Sequence, residues 1–207
     1  MVAAALPHTV LEGHGVRLEP YATRHLPGLT SALGRPDVFG GGWGGGPAAA
    51  RTGEQFAQWL PTYLPIERAH VYVVTSRVAL DAAKPDAPHT VIGTSTILDL
   101  TEAAESAHIG YTAYAPAAWG TSVNPACKLL LLGHLFEHGY GRVKLQADAL
   151  NARSRAGIEK LGAQFEGIAR RDAQRADGSW RDAAVYSIVV DEWPAVRAGL
   201  ERRLVAC

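Results

Sequence analysis

The segment Ala118-Trp119-Gly120-Thr121-Ser122-Val123-Asn124 is the part of this 207-residue chain whose residue types are best suited to holding a ligand. It is short and uncharged, and it opens into an apolar helical body from Ala126 to Phe136. A turn that enters a helix presents successive backbone N–H groups, with the positive end of the helix dipole, to one small volume. That volume suits a diphosphate. Gly120 lets an anion approach the main chain closely, and Thr121 and Ser122 can add hydroxyl donors. The same residues also describe an ordinary capped turn, with Asn124 as N-cap, Pro125 at the first helical position and Gly139 as the stop. On spacing alone the two readings stand level.

Three other patterns are weaker. Gly40-x-Gly42-x-x-Gly45 has the spacing of a dinucleotide-binding turn, but a run of glycines satisfies any such spacing and no strand feeds it. Gly120-x-Ser122-x-Asn124 has the outline of a nucleophile turn, yet asparagine stands where a second glycine must permit close packing. His134-x-x-Glu137-His138 puts two imidazoles on one helical face and could chelate a metal, with a third ligand from unplaced Glu159, Glu166 or Glu192. Two histidines covering the negative end of a helix is the plainer account, and no metal is expected.

The elements that must position the turn read as an intermixed α and β pattern. Val16 to Tyr21 alternates as a half-buried strand, and helices are expected around Thr23 to Leu33 and Arg51 to Leu64. Val71 to Val78, Val91 to Leu98 and His108 to Tyr114 read as three strands of an antiparallel meander. After the Ala126 to Phe136 helix come a strand at Val143 to Ala147, a helix capped by Asn151 and stopped at Gly162, and strands at Gln164 to Ala169 and Ala183 to Val190. A last helix, Asp191 to Leu204, aligns Trp193, Val196, Leu200 and Leu204 to pack on the sheet. Gly40 to Gly46, with Trp43 at its centre, and Ala82 to Pro88 read as surface loops. One domain over 1–207 is expected from the length. Hydrophobic residues are 47% and charged ones 19%, enough for a sizeable core, and a formal net charge of +0 provides no field to gather nucleic acid or an anionic membrane. Two cysteines cannot build a disulfide framework. With no apolar run long enough to span a bilayer and no signal-peptide pattern at the start, a cytoplasmic location is expected.

Ile109-Gly110-Tyr111, Tyr114-x-Pro116-x-x-Trp119-Gly120-Thr121, Lys128-Leu129-Leu130-Leu131-Leu132, Asn151-x-x-Ser154, Glu159-Lys160-Leu161-Gly162-Ala163 and Glu192-Trp193-Pro194 follow one another in an order that resembles the GNAT acyltransferase superfamily. Within it the chain is most similar to the RimJ/RimL-like ribosomal-protein N-acetyltransferases, over about Gly15 to Leu204. The resemblance implies an α+β fold whose mixed, mostly antiparallel central sheet is splayed into a V between the strand ending near Tyr114 and that at Val143 to Ala147, flanked by helices. It implies acetyl-coenzyme A as cosubstrate, held by Tyr114, Trp119, Gly120, Thr121, Ser122, Val123 and Asn124. Asn151 would bond the pantetheine arm and Ser154 would sit near the sulfur as proton donor. The sequence departs from the family at three places. Ile158 stands where a tyrosine acid is common, Ser122 where a second glycine is usual, and His108 where the related branch carries glutamate. A side chain at 122 is tolerable with negative φ.

The reaction implied is acyl transfer to a primary amine by direct attack, and the amine must first lose a proton. At pH 7 that costs about 1 kcal/mol for an α-amino group and about 4.6 kcal/mol for lysine. A site with no marked base therefore favours a protein or peptide N-terminus; a small amine such as an antibiotic or polyamine, or binding of acyl-CoA without catalysis, are the alternatives. His108 and Glu105 are the candidates for assisting proton removal through water. Trp43 and Tyr111 are the candidate acceptor contacts. The sheet edges and last helix permit a homodimer.

Overall fold

The computed structural model describes residues 2–40, 51–76, 90–174 and 178–205. Trp43 and the stretch 82–88 lie outside them. In chain order the elements are β1 (Leu11–Gly13), β2 (Val16–Pro20), α1 (Leu26–Leu33), α2 (Pro36–Phe39), α3 (Gly53–Tyr63), β3 (His70–Ser76), β4 (Thr90–Thr101) and β5 (Ser106–Tyr114). They continue with α4 (Val123–Glu137), β6 (Arg142–Asp148), α5 (Ala152–Glu159), β7 (Gln164–Gln174), β8 (Trp180–Val189) and α6 (Trp193–Val205). The strands form one eight-stranded sheet in the order β1-β2-β3-β4-β5-β6-β8-β7. Every pairing is antiparallel except β5 with β6.

The middle of the sheet is covered on both faces, which is why β3 reads as an unbroken apolar run. Val71 and Val73 point into a core with Leu29 and Leu33 of α1 and Phe56 and Leu60 of α3. Tyr72 and Val74 point the other way, into a core with Leu131, Leu132 and Leu135 of α4. The expected meander is β3-β4-β5.

Four details differ from the sequence reading. Helix α4 begins at Val123, with Ser122 rather than Asn124 in the N-cap position, so Pro125 is the third helical residue. β1 is a three-residue strand closed onto β2 through His14 and Gly15, both at positive φ, and is too short to show a period. α2 is a single turn started by Pro36. Helix α6 packs chiefly on α4, through Trp193 against Phe136 at 5.3 Å, and buries Val196 and Leu200 in the core that α4 shares with the sheet. No helix of the described residues is long and apolar enough to cross a membrane.

Candidate active site

The opening in the sheet follows from its one parallel contact. β5 and β6 pair only at Ser106↔Arg142, Ala107↔Val143 and His108↔Lys144. Beyond His108 the strands part, and Gly110 to Tyr114 on one side and Leu145 to Asp148 on the other wall a cleft of about 520 Å³. β5 bends away by a bulge: Thr94 faces Ala113 and Thr96 faces Gly110, so Tyr111 and Thr112 together oppose Ser95. Tyr111 takes a positive φ of 47° there, and the extra residue sharpens the local twist.

At one end of the cleft the chain turns from β5 into α4. Trp119 pins this turn by donating from Nε1 to Tyr114 O at 2.9 Å. Gly120 follows at φ 76°, a left-handed conformation that glycine adopts without steric cost, and a Cβ placed on it would meet nothing within 4 Å. Among the described residues no acceptor is paired with the backbone N–H of Gly120, Thr121, Ser122 or Asn124. These amides stand at the N-terminus of a 15-residue helix, where an anion is favoured by both donors and dipole. Ser122 has φ −67°, so its side chain is accommodated. Thr121 differs from the expectation: its hydroxyl donates to Ala118 O at 2.8 Å and accepts from Val123 N at 3.3 Å, so it braces the turn and only its amide is free. The residues present thus fit the diphosphate of coenzyme A.

Across the cleft Asn151 caps α5, its Oδ1 accepting from Ser154 N at 3.0 Å. Capping uses the oxygen and leaves the Nδ2 donors for a ligand. Replacing Asn151 with alanine is expected to cost about 1 kcal/mol of stability. Asn151→Asp keeps the cap and removes the donors, so it should melt like wild type yet bind coenzyme A about 5- to 10-fold more weakly. Thermal melts and calorimetry on the two variants separate capping from ligand contact.

His108 lies at the apex of the V. Its Nδ1–H donates to Asp99 Oδ2 at 3.2 Å, and Lys144 Nζ reaches the same oxygen at 3.7 Å. Nε2 is therefore the unprotonated nitrogen. It is buried, has no partner among the described residues, and belongs to a ring that lines the cleft. Burial, helped by Lys144 and opposed by Asp99, pushes the imidazole down to about 4. His108 is neutral at pH 7 and able to accept a proton.

Beside His108, on the face carrying α1 and α3, the cleft wall is aromatic. Tyr111 packs on Tyr63 at 5.1 Å between centroids, and Phe39 meets Tyr63 edge-on at 6.2 Å. Trp59 stacks on Tyr63 from behind and does not line the cleft.

The cleft brings together Tyr111, Tyr114, Trp119, Gly120, Asn124, Asn151, Ser154 and His108. Tyr114 contributes little of its side chain, since the hydroxyl is buried against Cys127. Val123 is buried in the core and its N–H donates to Thr121 Oγ1, so it is not brought into the cleft. Glu105 is not brought in. It sits in the β4–β5 turn at φ 49°, where its carbonyl accepts from Gly141 N and Arg142 N at the closed end of the V. Strand direction separates it from the cleft that His108 enters, and it drops out as a base. His134 and His138 commit ring nitrogens to Pro7 O and His134 O, and among the described residues no group of three His, Cys, Asp or Glu could hold a metal.

Sequence reasoning missed Arg153, which lays its guanidinium over the Trp119 ring at 4.0 Å. It also missed Arg181, tied to Asp172 at 2.8 Å, and Lys128, which donates to Ser95 and Thr112 under the cleft floor. Lys128 had a legible signal. The residues three, four and seven positions on are Leu131, Leu132 and Leu135, so it lies on the buried stripe of α4.

A bulged strand thus parts from a parallel neighbour, and at one end of the gap stands a helix N-terminus whose amides are unpaired among the described residues, an arrangement suited to an anionic ligand. Residues 16–164 match the acetyltransferase (GNAT) domain family, and the chain belongs to that family. A crystal structure of a protein assigned as an acetyltransferase is 32% identical, with TM-score 0.81 over 97% of this chain and 96% of that one. RimJ from Mycobacterium smegmatis, solved in complex with CoA-disulfide, is 22% identical with TM-score 0.67 over 100% and 94%. Ribosomal-protein-S5-alanine acetyltransferase from Vibrio fischeri is 17% identical with TM-score 0.65 over 89% and 98%. These last two are likenesses of fold. A search of curated proteins finds no match.

Proposed function

We propose that the chain transfers an acetyl group from acetyl-coenzyme A to a primary amine, with the N-terminal amine of a protein or peptide as the acceptor class. The observation that carries this is the unpaired Nε2 of His108 at the apex of a cleft whose far end is a free-amide cradle. Acetyl-coenzyme A supplies the activated acyl group. Gly120, Thr121, Ser122 and Asn124 would hold its diphosphate through their amides, and Asn151 its pantetheine amide. His108 takes the proton released as the acceptor nitrogen forms its bond to the acyl carbon, while Asp99 holds the ring in the tautomer that can do so. The aromatic wall of Phe39, Tyr63 and Tyr111 orients the acceptor from the α1–α3 face.

The choice of amine follows from the weakness of this base. An imidazole held near 4 gives little driving force against a lysine near 10.4, whereas an α-amine near 7.8 needs only about 1 kcal/mol to reach its neutral form at pH 7. The fold likeness to RimJ and to the S5-alanine enzyme supports the same class. The test is thiol release with acetyl-coenzyme A and three acceptor sets: peptides with free N-termini, N-blocked peptides with internal lysine, and polyamines. Release with the first set alone is expected. Release only with polyamines would replace the acceptor class, and tight coenzyme A binding with no release from any set would make the chain a binding module.

A further inference from the structure

Lys128 is a buried cation without a counter-charge among the described residues. Its side chain leaves α4 one turn after Asn124, and Nζ donates to Ser95 Oγ on β4 at 3.1 Å and to Thr112 Oγ1 on β5 at 2.9 Å. Among the described residues no carboxylate pairs with it. Its titratable neighbour is Cys127 on the same helix, which itself meets Tyr114 of β5; burial pushes the thiol up to about 11 and the phenol well above its ordinary value, so both are neutral at pH 7. Burial also lowers Lys128, to about 8, which leaves it mostly protonated at pH 7. A buried ammonium held only by two hydroxyls is costly unless an anion comes to it.

The hydroxyls provide the route. Ser95 Oγ and Thr112 Oγ1 are 2.7 Å apart, and the other contact of Thr112 is a long 3.4 Å approach to Gly110 O. With Lys128 donating to both oxygens and Ser95 donating to Thr112, the threonine proton has only that long contact. Thr112 is the exposed residue of the bulge and lines the cleft, so this proton can turn to a better acceptor there. We propose that Lys128, acting through the Thr112 hydroxyl, is a positioning residue that stabilises negative charge on the departing sulfur of coenzyme A. This rests on the acetyl-transfer reading above, and it fills the position left by Ile158, which has no proton to offer. As the carbon–sulfur bond breaks with its electron pair left on sulfur, Thr112 donates a hydrogen bond to that sulfur and Lys128 keeps the threonine oxygen polarised. The proton for the thiolate comes from Ser154, which lines the same cleft, or from water.

The experiment titrates coenzyme A bound to wild type, Lys128→Met and Thr112→Val, following thiolate ultraviolet absorbance against pH, with desulfo-coenzyme A affinity measured by calorimetry on each. The bound thiol is expected to titrate at lower pH in wild type than in either variant, by up to about one unit, because thiolate and Lys128 ammonium titrate as a coupled pair, with desulfo-coenzyme A bound equally by all three. Coincident thiol titrations overturn the proposal. Should Lys128→Met not fold, Thr112→Val, an exposed position, decides by the same comparison. If desulfo-coenzyme A binds but the titrations coincide, only this inference fails; if wild type binds neither ligand, the acetyl-transfer reading fails and takes this one with it.

Discussion

Replacing His108 with glutamine is expected to lower kcat/KM by about 10²- to 10³-fold, with coenzyme A affinity changed by no more than about two-fold. The two readouts part because His108 stands at the apex of the V while the cradle lies beyond Tyr114, so the ring can take a proton but does not face the diphosphate site. Glutamine keeps a polar group for Asp99 and adds no charge, yet it cannot accept the proton. The acid limb of the wild-type kcat/KM profile should follow the acceptor α-amine, near 7.8, because an imidazole at about 4 stays neutral well below that. A limb set near 6.5 regardless of acceptor would mean that His108 is not held as described.

The same ring links stability to pH. Its folded value lies below the unfolded 6.5, so the unfolded chain takes up a proton that the native one refuses as pH falls from 6.5 to about 4. Stability fully present above pH 6.5 is lost across that window, by on the order of 3 kcal/mol for His108, and levels off once both states are protonated. His70, also pushed down to about 4 by burial, and His8 and His134, both lowered, act with the same sign. His108→Gln should therefore lose less stability than wild type between pH 7 and pH 4.5 in urea denaturation. Parallel losses would assign the acid sensitivity to the His8–His70–His134 group instead.

What could be read from the sequence was local, and what could not was set by pairing across the sheet. The β3, β4 and β5 runs were legible because β-branched and aromatic residues mark strands buried on both faces. The cradle was legible because turn, glycine and helix start adjoin in the chain. The V was inferred only by family resemblance, since nothing near His108 announces that Lys144 will face it in a three-position parallel contact. The bulge was invisible because it puts a tyrosine, Tyr111, at positive φ where glycine would be the usual sign. Glu105 and His108 are three residues apart in the chain, and the strand carries them to opposite ends of the junction. Nothing in the chain around Arg153 or Arg181 marks a site, and only the fold brings them to the cleft.

Gly120 gives the sharpest separation of fold from binding. Asparagine and aspartate both tolerate a φ of 76° better than other side chains, and a Cβ there points into open space, so either should fold at similar modest strain. The two side chains share a shape and differ in charge. Beside the N-terminus of α4 the aspartate is favoured by the helix dipole, so Gly120→Asp should be at least as stable as Gly120→Asn. For a ligand diphosphate the sign reverses: two unit charges 4 Å apart repel by about 4 kcal/mol at an effective dielectric of 20. Solvent in an open cleft screens part of this, and the remaining penalty of about 3 kcal/mol corresponds to roughly 100-fold weaker binding. Gly120→Asn should bind coenzyme A within about five-fold of wild type and Gly120→Asp about 100-fold more weakly, with the difference shrinking as salt is raised. Opposite signs in melting and in calorimetry for one isosteric pair can arise only where an anion docks against that turn; equal affinities for the two variants would place the diphosphate elsewhere.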